Sequence, residues 1–255
     1  MTICTSRRSK GFTLIELLVV IAILATLASL IFLGTKTAIK AAKAAKLSNN
    51  MKNVHTALIS LREEGIDTGN HNPGSYPPYA GNIDDEQGAS FIWWDLAAEK
   101  LSIAVREGSQ YEWKEPYKET VFQNPLSKYK LGGDRSKFRS LGNATKDSHG
   151  GFAYNGLLGD DAGAGGESED AFVIRASQLK DAANTIWFAE SDDDHAGAGW
   201  YFDGISSAPQ GNYKKKAYVC MVDGSVRSYP NTIIKKPSVF EFLTTPDEKN
   251  YNNAP

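Results

Sequence analysis

The feature that most constrains this chain is a run of 22 residues, Phe12 to Leu33 (FTLIELLVVIAILATLASLIFL), in which 18 are apolar and only Glu16 is charged. A helix of ~20 apolar residues, rising ~1.5 Å each, covers the ~30 Å hydrocarbon core of a bilayer. The run meets that length and predicts one membrane-spanning helix. Without it the remaining residues are about 37% hydrophobic, against 41% for the whole chain, which is the composition of an ordinary globular domain. Eleven Phe, 11 Tyr and 5 Trp among 255 residues supply a sizeable core. The formal charge of -2 lacks the basic surplus of a nucleic-acid-binding chain, so no nucleic acid is expected as a partner.

The segment before the run, MTICTSRRSKG, carries Arg7, Arg8 and Lys10 and no acid. Basic residues stay on the cytoplasmic side of a membrane, so the residues after Leu33 are expected on the other side. A cleaved signal peptide also begins basic and then turns apolar. Here the apolar run is longer than a signal core, no A-x-A site follows, and a carboxylate sits near its start. Acids in membrane segments are costly unless paired, which marks Glu16 as functional and asks for a cationic partner.

Lys10-Gly11-Phe12-Thr13-Leu14-Ile15-Glu16-Leu17, with its basic leader and apolar helix, resembles the processing motif of type IV prepilins and of type II secretion pseudopilins. The resemblance implies that prepilin peptidase cuts between Gly11 and Phe12 and methylates the new Phe12 amine. It also implies that Glu16 acts in assembly, its carboxylate pairing with the Phe12 ammonium of a neighbouring subunit. Removal of residues 1 to 11 takes the formal charge from -2 to -5. The membrane helix is expected to pack through Leu14, Leu17, Leu18, Val19, Val20, Ile21, Ile23, Leu24, Leu27, Leu30 and Leu33, against lipid first and against sister helices after assembly.

Beyond Leu33, Lys36, Lys40, Lys43 and Lys46 stand among alanines, and apolar residues then recur at Leu47, Met51, Val54, Leu58 and Leu61. Spacings of four and three mark one buried helical stripe. No Pro intervenes between Phe12 and Pro73, and Gly34 is the only Gly between Phe12 and Gly65, so a single helix from 12 to 64 is expected. Gly34 is its one candidate hinge; the lysines are candidates for anionic head groups or acidic neighbours, or simply a solvated face. The chain thus divides into a leader (1–11), a transmembrane helix (12–33), an amphipathic stem (34–64) and a globular head (65–255).

In the head, Gly65 to Gly88 reads as loop. Ser90 to Leu101 reads as a short helix with Ser90 as N-cap and Trp93-Trp94 in the core. Thr120-Val121-Phe122 is a candidate strand. Strands are expected at Phe152–Leu158, Ala171–Ile174, Thr185–Glu190, Gly199–Phe202, Ala217–Val222 and Ser225–Tyr229, the last two joined by a tight turn at Asp223-Gly224. The fold class is α+β: a pilin-like long N-terminal helix packed on a C-terminal antiparallel sheet domain.

Tyr154-Asn155-Gly156 and the stretch YVCMVDGSVRSY resemble a prepilin subgroup that ends in an H-x9-DG motif. Asp223 and Gly224 match its end, Tyr213 stands where its His is expected, and Asn124-Pro125 replaces its Cys-Pro. Asp192, Asp193 and Asp194 are candidate Ca²⁺ ligands, because hard cations take several loop oxygens and major pseudopilins carry calcium in this region; no other cofactor is expected. The four His are scattered, and no GxSxG, Walker or strand-led GxGxxG motif occurs, so the chain is not expected to be an enzyme. Cys4 lies in the leader, which leaves Cys220 alone in the processed chain.

Together the residues and the resemblance point to a structural pilin or pseudopilin of a type IV pilus-like or type II secretion filament. It would sit first in the inner membrane, single-pass with its head in the periplasm, and then in a periplasmic or surface filament. Its partners would be prepilin peptidase, sister subunits, an inner-membrane assembly platform with its ATPase, and membrane lipid before assembly. The rival readings are a surface-adhesive minor pilin that binds an external ligand and a membrane-anchored exported enzyme.

Overall fold

The computed structural model describes residues 12–66, 73–82, 90–108, 110–114, 120–127, 151–159, 174–190, 201–202, 208–209, 211 and 214–245. They contain one long helix, α1 (Leu14–Glu64), continuous through Gly34. At its C-terminal end Gly65 takes a positive φ of 79° and donates its N–H to Leu61 O at 2.9 Å, a left-handed cap that glycine adopts without strain. The chain forms two units, Met1–Ala42 and Lys43–Pro255.

In the first unit the large apolar side chains of α1 from Phe12 to Phe32 are exposed. In the second unit the expected stripe Leu47, Met51, Val54, Leu58 and Leu61 is buried. It meets α2 (Trp93–Lys100) and one face of a five-stranded sheet. That sheet is built from β5 (Phe152–Asn155), β6 (Ile186–Glu190), β7 (Tyr201–Phe202), β8 (Lys216–Met221) and β9 (Val226–Pro230), in the order β7-β5-β6-β8-β9. Pairing is antiparallel except for the two-residue β7, which runs parallel to β5.

Alternation along the central strands, broken in β6 by a register shift between Ile186 and Phe188, sends side chains to two cores. Trp187, Phe188, Tyr154 and Cys220 join the stem and the Trp93-Trp94 pair on one side. Ile186, Ala189, Val219 and Met221 join α3 (Asn231–Ile234) and α4 (Pro237–Thr244) on the other. The head is therefore helix, sheet and helix in three layers, with an outer layer that the strand and loop readings did not anticipate. Its signal lay in Pro237 at the first turn, ahead of apolar Val239, Phe240, Phe242 and Leu243.

Several local expectations are corrected. Ser90 does not cap a helix: Ser90–Ile92 is strand β2, pairing antiparallel with β1 (Ala80–Asn82) inside what reads as loop. Helix α2 starts later because the Asp95 carboxylate accepts the Ile92 N–H at 3.3 Å, satisfying an N-terminal donor without a Ser. Thr120-Val121-Phe122 is a turn, since Thr120 Oγ accepts the Phe122 N–H at 3.3 Å and Phe122 is buried beside Trp93 and Trp113. A hairpin, β3 (Ala104–Glu107) with β4 (Gln110–Trp113), was not anticipated. Of the expected strand at 171–174 only Ile174 is described, and it lies outside regular structure; residues 199 and 200 fall outside the described residues.

Candidate functional site

Sequence reading singles out two places, the start of α1 and the Asp223-Gly224 turn. Helix α1 begins with four N–H groups that have no intrahelical acceptor. Thr13 Oγ accepts the Glu16 N–H at 3.3 Å, while Thr13 N–H and Thr13 Oγ–H both donate to Glu16 Oε2 at 2.8 Å. This reciprocal arrangement is a capping box, S/T-x-x-E in sequence. Thr13-x-x-Glu16 carries that signature, and the motif reading passes over it. Among the described residues Thr13 is the sole hydrogen-bond partner of the Glu16 carboxylate.

The surroundings of this acid are apolar. Phe12, Ile15, Val19 and Val20 flank it along the helix. Leu14, Leu17, Leu18, Val19, Val20, Ile21, Ile23, Leu24, Leu27 and Leu30 are between 45% and 82% exposed. Leu33 lies within α1, but its side chain is not among those described. The hydroxyls of Thr26 and Thr35 donate to the carbonyls of Ile23 and Ile31 at 2.8 and 2.7 Å, so both make their bonds inside the helix, which for Thr26, within the apolar run, is what a hydrocarbon surrounding would demand. Among the described residues α1 is the one helix long and apolar enough to cross a membrane. Gly11 lies outside the described residues.

At the other place, Asp223 Oδ1 accepts the Ser225 N–H at 2.8 Å, and Gly224 N–H donates to Met221 O at 3.0 Å, closing the β8–β9 turn. Gly224 has φ +84° and faces the stem: a Cβ there would stand 2.9 Å from His55 Cε1. His55 Nε2 bonds Val222 O at 3.0 Å, and the ring meets Trp187 edge-on at 5.2 Å. Burial lowers the pKa of His55 below its ordinary value, partly opposed by the Val222 carbonyl and Asp223. Asp223 and Gly224 are thus a seat for the stem.

The other resemblance positions are structural as well. Tyr154 donates its hydroxyl to Pro77 O at 2.6 Å and accepts Trp187 Nε1–H at 3.1 Å. Asn155 Nδ2 donates to Ile186 O and Thr244 O at 2.8 and 2.9 Å, tying β6 to α4. Asn124, in place of the subgroup's Cys, donates Nδ2–H to Glu190 Oε2 at 2.8 Å. Glu190 is fully buried, and its Oε1 accepts the Tyr218 N–H at 2.9 Å. This carboxylate is the site residue that sequence reasoning missed. Buried acids require such partners, and Asn124 lies 66 positions away.

Tyr213 and the candidate Ca²⁺ ligands Asp192, Asp193 and Asp194 lie outside the described residues, as do the other acidic clusters at 84–86, 160–161 and 167–170. Among the described residues no group of three His, Cys, Asp or Glu side chains converges to hold a metal. Cys220 is buried, and desolvation pushes its thiol pKa well above the ordinary value, which leaves no nucleophilic thiolate.

The chain matches no curated protein and no solved structure at a significant level. Residues 6–32 match the family model described as the prokaryotic N-terminal methylation motif, a span that takes in the basic leader, the Gly11-Phe12 junction, the Thr13–Glu16 cap and most of the apolar helix. Over this N-terminal segment the chain is similar to the type IV prepilins and pseudopilins.

Proposed function

We propose that the chain is a structural subunit of a type IV pilus-like or type II secretion filament, cut between Gly11 and Phe12 and methylated at Phe12. The observation that carries this is the exposed apolar run of α1, whose single carboxylate, Glu16, is held by Thr13 alone among the described residues. In lipid, helices gain little from apolar contact, because the tails are as apolar as their side chains. A polar group that must find a partner directs association instead. Cleavage supplies one: it turns the Phe12 amide into an α-ammonium, charged near neutrality with a pKa of about 8. N-methylation keeps that charge. The ammonium of one subunit then meets Glu16 of the next inside the helix bundle, where pairing offsets the cost of burying both charges.

On this reading the subunit waits in the inner membrane with its head in the periplasm, and prepilin peptidase acts on the cytoplasmic face. A platform protein and its ATPase then exchange lipid for sister helices. Mass spectrometry of the mature N-terminus tests the reading. The expected peptide starts with N-methyl-Phe12; an intact Met1, or a cut beyond the apolar run, overturns it.

A further inference from the structure

Helix α1 carries a row of like charges with no acid of its own between Leu17 and Leu61. Lys36, Lys40, Lys43, Lys46 and Lys52 all fall in that stretch. At ~100° per residue, Lys36, Lys40 and Lys43 share a stripe about 60° wide, with Lys46 at its flank. The first four lysines are exposed, and none of them forms an ion pair among the described residues. Lys36 Nζ lies over the Phe32 ring, 4.9 Å from its centroid.

A helix normally softens such a row with acids at i±4, and here there are none. Two copies packed stem against stem would set lysine against lysine, which is repulsive. Lipid phosphate reaches only part of the row. The polar layer on each side of a bilayer is about 5–8 Å deep, whereas Lys43 and Lys46 start about 15 and 20 Å beyond Leu33 along a helix normal to it. A protein surface of opposite charge can therefore reach the whole row, which lipid phosphate cannot. Residues 12–46 hold four Lys and one Glu, net +3; residues 47–255 hold 21 basic and 29 acidic side chains, net -8.

We infer that Lys36, Lys40, Lys43 and Lys46 form a docking surface for the carboxylate-rich head of a second copy of this chain. Each stem is neutralised by a neighbour's head rather than by a neighbour's stem. The inference rests on the filament-subunit reading and adds to it a specific contact, outside the apolar helix, that sets which parts of two copies meet.

The test mixes unlabelled and heavy-nitrogen-labelled full chains in one membrane and treats them with a zero-length carbodiimide, which joins a lysine amine to a carboxylate in contact. Mass spectrometry should find mixed-isotope links from these four lysines to acids beyond residue 47. Replacing all four by Gln should lower multimer yield roughly tenfold, while replacing all four by Arg should preserve it; high salt should mimic the Gln set. Wild-type multimers without mixed-isotope links at these lysines overturn the docking surface alone. So does a Gln set that multimerises normally and loses only its affinity for vesicles containing phosphatidylglycerol, an outcome that would assign the row to lipid. A wild-type chain that never multimerises overturns the subunit reading itself.

Discussion

His55 of the stem and Gly224 of the β8–β9 turn are packed so closely that a single added methyl carbon on Gly224 would lie 2.9 Å from the imidazole Cε1. Gly224 also holds φ +84°, which L-residues adopt at a cost. Strain and overlap together place the Gly224→Ala penalty at about 2–4 kcal/mol. Urea unfolding of the detergent-solubilised chain measures it. Adding His55→Ala should return the steric share and leave the backbone share, so a double-mutant cycle in which the two losses simply add would dismiss this contact.

The same histidine makes stability depend on pH. Burial holds the folded pKa of His55 below its unfolded value of 6.5, with Arg62 adding to the depression and the Val222 carbonyl and Asp223 opposing it. The unfolded chain then binds the proton more readily than the folded one, so stability rises with pH. The contribution is fully present above pH 6.5, declines as pH falls below that value, and stops declining once the folded pKa is passed. Urea midpoints taken from about pH 7.5 to about pH 5 should fall more steeply in wild type than in His55→Asn, where this proton is missing.

Glu190 is expected to be intolerant of truncation. Glu190→Ala leaves the Asn124 amide and the Tyr218 N–H facing a buried void, a loss of about 3–5 kcal/mol. Glu190→Gln keeps the size and one acceptor and should cost markedly less. Gly211→Ala probes the same point from outside, because its Cβ would collide with Lys216 O and Glu190 Oε1. Thermal midpoints of the three variants should rank Gln above both alanines.

At the start of α1, Thr13→Ala and Glu16→Ala separate capping from charge. Thr13→Ala removes one side of the cap, worth about 1 kcal/mol of helix stability, and should fray the first turn while multimers still form. Glu16→Ala should leave insertion and cleavage intact but reduce methylation and assembly. Glu16→Ala chains that build filaments normally would reject the paired-charge account. Gly11→Ala acts earlier, at processing, and should strand the uncut precursor in the membrane.

How much of this was readable in the residues varies by element. The stripe Leu47, Met51, Val54, Leu58 and Leu61 was readable because five apolar residues in register repeat one physical cause several times. Trp93-Trp94 was readable as core for want of polar companions. The start of α2 was not: Ser90 is a good cap by type, but Phe91 is drawn into a strand pairing with Gly81, a preference set ten residues away. Glu190 ends an apolar strand and looks like a solvent-facing terminator, since its partners Asn124 and Tyr218 are distant in sequence. The Thr13–Glu16 cap was fully local and therefore legible, but the apolar run drew attention to Glu16 as a charge and away from its hydrogen bonds.

The burial of Cys220 has a practical side. Its thiol is the one cysteine left once the leader is removed, it is closed to solvent, and its environment suppresses the thiolate. A chain cut after Gly11 is therefore expected to react little with maleimides while folded, since its remaining thiol is buried. Any cysteine placed on the stem or head becomes the only reactive thiol, ready for tethering neighbours, attaching fluorophores or measuring distances within an assembled filament.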